Sequence, residues 1–212
     1  MKESENWEKP QNGQDKNENY GVGGFLLEIV KVFFLALVII TPIRVFLFQP
    51  FFVQGASMEP NFKNGEYLIV NELGYKSTDI GVGEKDFFSI SPYKELNRQD
   101  IVVFRYPKDP RQFFIKRVVG LPGEKIKVED DKITIFNSNS PDGFVLDESV
   151  YLSPKLKNNT SQIIELKEDE YFVMGDNRSQ SYDSRNFGPI KKDSVVGKVL
   201  VRAWPVKRIG IF

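Results

Sequence analysis

Phe113-Phe114-Ile115-Lys116-Arg117-Val118-Val119-Gly120, running into Leu121-Pro122-Gly123-Glu124, is the stretch that decides the fold. Aromatic and β-branched residues flow without a break into Pro-Gly turn chemistry, which reads as a strand over 113–119 followed by a reversal. Alternation puts Phe114, Lys116 and Val118 on one face, so the lysine points where apolar residues point. Burial there disfavours the ammonium, can lower a lysine pKa by several units and makes the amine a base. A solvated edge strand, with Arg117 facing the other way, gives the same spacing and an ordinary lysine.

Outward from this strand the texture is the same. The runs Tyr67–Val70, Ile101–Tyr106, Ile126–Val128, Lys132–Phe136, Tyr171–Met174 and Val195–Ala203 all read as strands. Pro141-Asp142-Gly143 is a second clear turn. Residues 137–168 are rich in Asn, Ser and Lys and read as an insertion between core strands. The expected fold class is mainly β over 44–212, with no repeats and no helix beyond the N-terminal region.

That region is different. Residues 1–24 are polar, with Lys2, Lys9 and Lys16 against five acids, and read as a disordered tail. Residues 25–43 are membrane-like, although the longest uncharged run, Val32–Ile43, has only 12 residues. A bilayer core needs about 20. Glu28 and Lys31 share a helix face and can pair, and Lys31 and Arg44 can snorkel toward opposite headgroups. The reading is a spanning anchor helix that ends near Pro42. A cleaved secretory signal wants a basic start and a nearby small-x-small site; a buried core helix is the other alternative.

Composition narrows the chemistry. The 29 basic and 29 acidic residues cancel, so no bulk charge draws the chain to nucleic acid. Cysteine and histidine are both absent. That excludes disulfides, thiol nucleophiles, a Ser-His-Asp triad and ordinary zinc sites. Any hydrolytic base working near neutral pH must be Lys, Asp, Glu or Tyr.

Two further segments carry candidate groups. In Phe51-Phe52-Val53-Gln54-Gly55-Ala56-Ser57-Met58-Glu59-Pro60, an extended 51–57 would put side chains 51, 53, 55 and 57 on one face. The result is an apolar groove ending at a serine, where Gly55 and Ala56 let a substrate backbone approach. A serine in a Gly-Ala turn is the plainer reading. Gly175-Asp176-Asn177-Arg178-Ser179-Gln180-Ser181-Tyr182-Asp183-Ser184-Arg185 is dense in donors and acceptors that can orient a catalytic group. A turn held by Asp–Arg pairs, or a carboxylate metal site from Asp176 and Asp183, would also use these residues.

In this order the segments resemble type I signal peptidases, membrane-anchored Ser–Lys endopeptidases. Gly55-Ala56-Ser57-Met58-Glu59-Pro60 is similar to the family's nucleophile box, 116–124 to its lysine box, Arg98–Val103 to the strand box between them, and 175–188 to its C-terminal box. The resemblance covers about 25–205 and implies a largely β catalytic core with a β insertion. It implies that Ser57 is the nucleophile, Lys116 the general base and Ser181 the serine whose hydroxyl bonds the lysine amine. It implies a supporting pair in Asp183 and Arg185, with Phe51, Val53, Met58 and Ile115 lining pockets for small residues before the cut. The implied partners are exported preproteins and membrane lipid, not nucleic acid. No metal or cofactor is implied, and the catalytic domain would be extracytoplasmic.

Two positions depart from the pattern. Gly55 stands where many members carry an oxyanion-binding serine, and Asn61 follows Pro60 where threonine is usual. The resemblance implies that Gly55→Ser would keep or modestly raise activity. A self-cleaving Ser–Lys repressor would be soluble and carry a DNA-binding segment, which 1–50 does not offer. A non-catalytic, membrane-tethered β module binding lipid or partner proteins is the remaining rival. Since no metal is invoked, EDTA should leave preprotein cleavage unchanged in a gel-based assay; strong inhibition would revive the carboxylate metal site.

Overall fold

The structure is a computed structural model that describes residues 22–46, 48–76, 78–82, 85–129, 132–152 and 161–212. The tail expected to be disordered lies outside the described residues up to 21. Two units are present, one ending at Thr41 and one spanning Pro42–Phe212. In chain order the elements are α1 (Val22–Phe46), β1 (Phe48–Phe52), β2 (Tyr67–Asn71), β3 (Thr78–Val82), β4 (Lys85–Ile90) and β5 (Ile101–Tyr106). They continue with β6 (Asp109–Gly120), β7 (Lys125–Glu129), β8 (Lys132–Asn137), β9 (Ser140–Val145), β10 (Gln162–Glu165) and β11 (Glu170–Met174). The one-turn helix α2 (Ser184–Phe187), β12 (Ile190–Lys191), β13 (Val195–Trp204) and β14 (Gly210–Ile211) complete the chain.

The described residues of the first unit are helical. Its window Val22–Thr41 has mean hydropathy 2.4 over 20 residues, long and apolar enough to cross a membrane. The helix does not stop near Pro42 but runs on to Phe46. Proline costs one backbone donor, whereas ending the helix there would free several polar groups in an apolar stretch.

The second unit is built on an antiparallel sheet in the order β1-β2-β13-β5-β6-β11-β12, with β14 paired to β13. Bulges interrupt β13 against both β2 and β5, and such bulges bend and twist a sheet. The curl brings Phe51 of β1 and Ile115 of β6 onto one buried cluster with Val53, Met58, Leu68 and Val103, although four strand pairings separate β1 from β6. Phe114 and Val118 of β6 pack instead with Val102, Phe104 and Val173 on the opposite face. Alternation therefore holds along β6, and Lys116 lies on the Phe114 side.

Between the neighbours β6 and β11 the chain leaves the main sheet to form a second one, ordered β10-β7-β8-β9. The excursion is wider than the sequence suggested. It takes in β7 and β8, which read as core strands because Ile126, Val128, Ile133 and Ile135 are as apolar as the core itself. They are buried against Val119, Phe172 and Met174 in a cluster shared by both sheets. Residues 153–160 of the expected insertion lie outside the described residues. The β3–β4 hairpin forms a separate two-stranded sheet.

Phe172 is fully buried at the junction of the two sheets. Truncating a phenylalanine in such a setting removes transfer energy and leaves a cavity. Phe172→Ala should cost about 3–5 kcal/mol in urea unfolding of the full chain in detergent. A loss under about 1 kcal/mol would mean that the cluster is not shared.

Candidate active site

β1 stops at Phe52, and the extended stretch expected over 51–57 is not formed. Gly55 has φ +88, a conformation that L side chains rarely adopt, and its N–H donates to Asn64 Oδ1 at 3.0 Å. The chain then enters a turn in which Glu59 N–H bonds the Ala56 carbonyl at 3.1 Å and Phe62 N–H bonds the Met58 carbonyl at 2.8 Å. Ser57 is presented by this turn, not by a strand face.

Lys116 reaches the serine from β6. Its Nζ lies 2.8 Å from Ser57 Oγ and donates to the Ile115 carbonyl at 2.8 Å. The side chain is 4% exposed, and the Phe114 ring centroid is 5.4 Å from Nζ. Among the described residues no carboxylate forms an ion pair with it. Among the described residues every other buried charged side chain has an ion-pair partner: Glu66, Glu72, Asp100 and Glu124 pair near the surface, and the rest pair within the site. Burial without a partner penalises the ammonium and moves the amine from its ordinary 10.5 to about 8. Asp183 and Asp176 pull it back up, and Arg185 acts in the same sense as burial. The drop favours the neutral amine by about 3 kcal/mol. At pH 7 roughly a tenth of the molecules carry it neutral, against about one in three thousand for an exposed lysine.

The third wall is the loop after β11. Met174 pairs with Arg117 in the sheet register, so the loop starts beside the lysine. Asn177 clamps the serine turn, its N–H donating to the Ser57 carbonyl at 3.0 Å and its Nδ2 to the Ala56 carbonyl at 3.1 Å. Gly175 is required by close approach, since a Cβ there would sit 2.2 Å from Ser181 Oγ and 2.4 Å from the Ser57 carbonyl. Asp183 caps α2 and receives Arg185 Nε and Nη2, each at 2.8 Å, and the Gly175 N–H at 3.0 Å. Burial pushes its carboxyl up, but the Arg185 guanidinium and these donors leave it below the usual range. The capped turn is too short to show helical periodicity, so α2 was not legible in the sequence.

The other expected residues divide. Phe51, Val53 and Ile115 line a cleft of about 600 Å³ that leads to Ser57 and Lys116, together with Phe113, Gln180 and Tyr182. Met58 is 1% exposed and sits in the core beneath the cleft instead of on its wall. Ser181 Oγ is buried beside the Asp183 carboxylate but, among the described residues, makes no hydrogen bond of good geometry, to Lys116 or to any other group. The lysine amine instead bonds Ser57 and the Ile115 carbonyl. Asp176 pairs not with Arg178 but with Arg117, at 2.8 and 2.7 Å. With Asp183 held by Arg185, neither carboxylate is available as half of a metal site. Among the described residues no three His, Cys, Asp or Glu side chains are grouped to hold a metal ion.

Three participants were not assigned a role by sequence. Asn61 donates to Asp176 Oδ2 at 2.8 Å and to the Tyr151 carbonyl at 2.7 Å, which explains how asparagine serves where threonine is usual. Glu148 and Tyr151, both on the excursion, close the same network, with the Tyr151 ring 4.1 Å from the Arg117 guanidinium. Their only sequence signal was an acid and an aromatic in a stretch otherwise rich in Asn, Ser and Lys.

The Lys116 amine thus touches the Ser57 hydroxyl at the end of an apolar cleft, on a β scaffold without histidine. The family described as "Signal peptidase, peptidase S26" matches residues 26–204. A signal peptidase I from Bacillus caldolyticus is 34% identical over 190 residues, covering 84% of this chain and 91% of the relative. A probable signal peptidase I-2 from Synechocystis sp. is 29% identical over 185 residues, covering 87% of this chain and 76% of the relative. A solved structure of a signal peptidase I from Enterococcus faecalis V583 is 32% identical with a TM-score of 0.41, covering 50% of this chain and 97% of that one. The chain belongs to the signal peptidase family, and it is a serine endopeptidase.

The φ of Gly55 revises the expectation for Gly55→Ser. Nothing lies within 4 Å of an added Cβ, so there is room for the hydroxyl. The positive φ is the obstacle, and a non-glycine residue in left-handed backbone costs about 1–2 kcal/mol. Gly55→Ser should lose about that much stability by urea unfolding, and cleavage should not exceed wild type. A variant as stable as wild type and more active would show that the turn relaxes freely.

Proposed function

We propose that this chain is a membrane-bound endopeptidase that removes signal peptides from exported preproteins, cutting after a small-x-small motif with Ser57 as nucleophile and Lys116 as general base. The observation that carries this reading is the 2.8 Å contact between an unpaired, buried Lys116 amine and Ser57 Oγ. The neutral amine offers one lone pair and two N–H groups. With one N–H on the Ile115 carbonyl, the lone pair is left for the Ser57 proton.

As Ser57 Oγ bonds to the scissile carbonyl carbon, its proton passes to Lys116 Nζ. The ammonium that forms is no longer unpaired in effect, because Asp183 and Asp176 favour the charged state. These carboxylates pull the amine back toward the charged state less strongly than burial pushes it away, and they steady the ammonium during the step. Lys116 then protonates the leaving amine, the C–N bond breaks, and water attacks the acyl ester by the reverse route with Lys116 again as base. With glycine at 55, the Ser57 N–H or a water takes the oxyanion. Asp183, Arg185 and Ser181 are assigned to holding the loop against the dyad.

The apolar cleft over Phe51, Val53 and Ile115 suits small side chains of an extended substrate. The apolar helix α1 supports a single-pass anchor, with the catalytic unit on the extracytoplasmic side where preproteins emerge. Ser57→Ala and Lys116→Ala should each abolish preprotein cleavage, because groups that act as a unit lose nearly the whole rate together. Lys116→Arg should be equally inactive, since a guanidinium stays protonated. Ser181→Ala should lower kcat without eliminating it. The check is gel-based cleavage of a preprotein by folded variants; more than a few percent of wild-type rate in Lys116→Arg would remove the lysine as base.

A further inference from the structure

Glu148 lies on the excursion, outside the segments assigned to chemistry, yet it is 9% exposed and fully engaged. Arg178 Nη1 donates to its Oε2 at 2.9 Å, Arg178 Nη2 donates to Oε1, and the Tyr151 hydroxyl donates to Oε1 at 2.7 Å. Arg178 is itself 4% exposed. Its Nε donates to the Gly175 carbonyl at 3.2 Å, and its own carbonyl accepts Arg185 Nη2 at 2.8 Å. Arg178 therefore links both limbs of the 175–185 loop, its guanidinium, held by Glu148, reaching Gly175 and its backbone carbonyl accepting Arg185. One limb carries Gly175 and Asn177, which brace Ser57; the other carries Ser181, Asp183 and Arg185.

We propose that Glu148 is a positioning residue for the Ser57–Lys116 pair, acting through Arg178 to fix the loop that walls the lysine. The inference rests on the reading of that pair given above. Glu148 touches neither substrate nor the reacting atoms. It acts because the charged groups that bear most on Lys116 among the described residues, namely Asp183, Asp176 and Arg185, sit on this one loop. Tyr151 makes the arrangement specific to the excursion: its hydroxyl meets Glu148, its ring covers Arg117, and its carbonyl holds Asn61. If the loop loosens, water reaches the amine and the burial that favours its neutral form is weakened. The lysine then titrates at higher pH.

The test uses the full chain in detergent, with wild type, Glu148→Gln and the paired replacement Glu148→Met with Arg178→Met. Glu148→Gln leaves Arg178 buried without a counter-ion, which can compromise folding. The paired replacement leaves no buried charge, and apolar substitution of a whole buried pair is often neutral for stability. Three quantities are read: the melting temperature, kcat and KM on a preprotein-derived peptide, and the titration of the Lys116 amine by NMR of a labelled lysine εCH2. The paired variant should melt within a few degrees of wild type. Its kcat should fall tenfold or more with KM within about threefold, and its amine should titrate above the wild-type value. A role in stability alone predicts that kcat and the titration recover along with the melting temperature. Wild-type kcat and an unmoved amine titration, in either folded variant, would overturn the proposal. The amine titration needs no turnover, so a wild-type chain that failed to cleave would count against the function while still reporting on Glu148.

Discussion

The structure depends on a lysine amine kept out of water without a counter-ion. Placing a cation in a protein interior costs several kcal/mol unless an anion meets it. Elsewhere in this chain that cost is met directly: Arg117 has Asp176, Arg178 has Glu148, and Asp183 has Arg185. Lys116 has a serine hydroxyl and a carbonyl. The cheapest way to satisfy it is to remove its proton, and a neutral amine in contact with a hydroxyl can act as a base toward it. The neighbouring ion pairs keep the loop carboxylates occupied, so they tune the amine without capturing it.

The rest of the fold follows from bringing three separate pieces of chain to that amine. The curl of the main sheet, assisted by the bulges in β13, carries the turn after β1 round to β6. The β6–β11 pairing starts the polar loop beside Arg117. The excursion between those two strands returns Glu148 and Tyr151 beneath the same loop, so a region that looks like decoration shares a buried network with the site. Adjacent residues of one strand thereby serve opposite purposes, with Lys116 facing the serine and Arg117 bonded to the base of the loop.

Much of this could be read from residues alone, and the misses have physical causes. β5, β6, β11 and β13 were legible because β-branched and aromatic runs bounded by turns have few other uses. Ser57 and Lys116 could be named as candidates because the absence of histidine and cysteine left few bases to choose from and their segments resemble the family's boxes. The boundary of the excursion was not, since Ile126 and Ile133 bury as completely as core residues and periodicity cannot say which sheet a strand joins. The groove geometry over 51–57 was misread because a glycine can extend a strand or turn it, and its φ is not written in its neighbours. Met58 and Ser181 show the same limit from the other side. Position in a motif places a residue near the site, but which neighbour its side chain meets is settled by packing. Glu148 and Asn61 were invisible as partners because their contacts span 30 and 115 positions in sequence.

The most direct test of the account is kcat/KM measured from pH 5 to 11 on a peptide with a small-x-small cut site, using the full chain in detergent. The base must be neutral in the free enzyme, so activity should rise as Lys116 loses its proton and level off above that point. The account predicts an acid limb centred at about pH 8, where burial places the amine. A limb that climbs only near pH ~10.4, where an exposed lysine titrates, would contradict it.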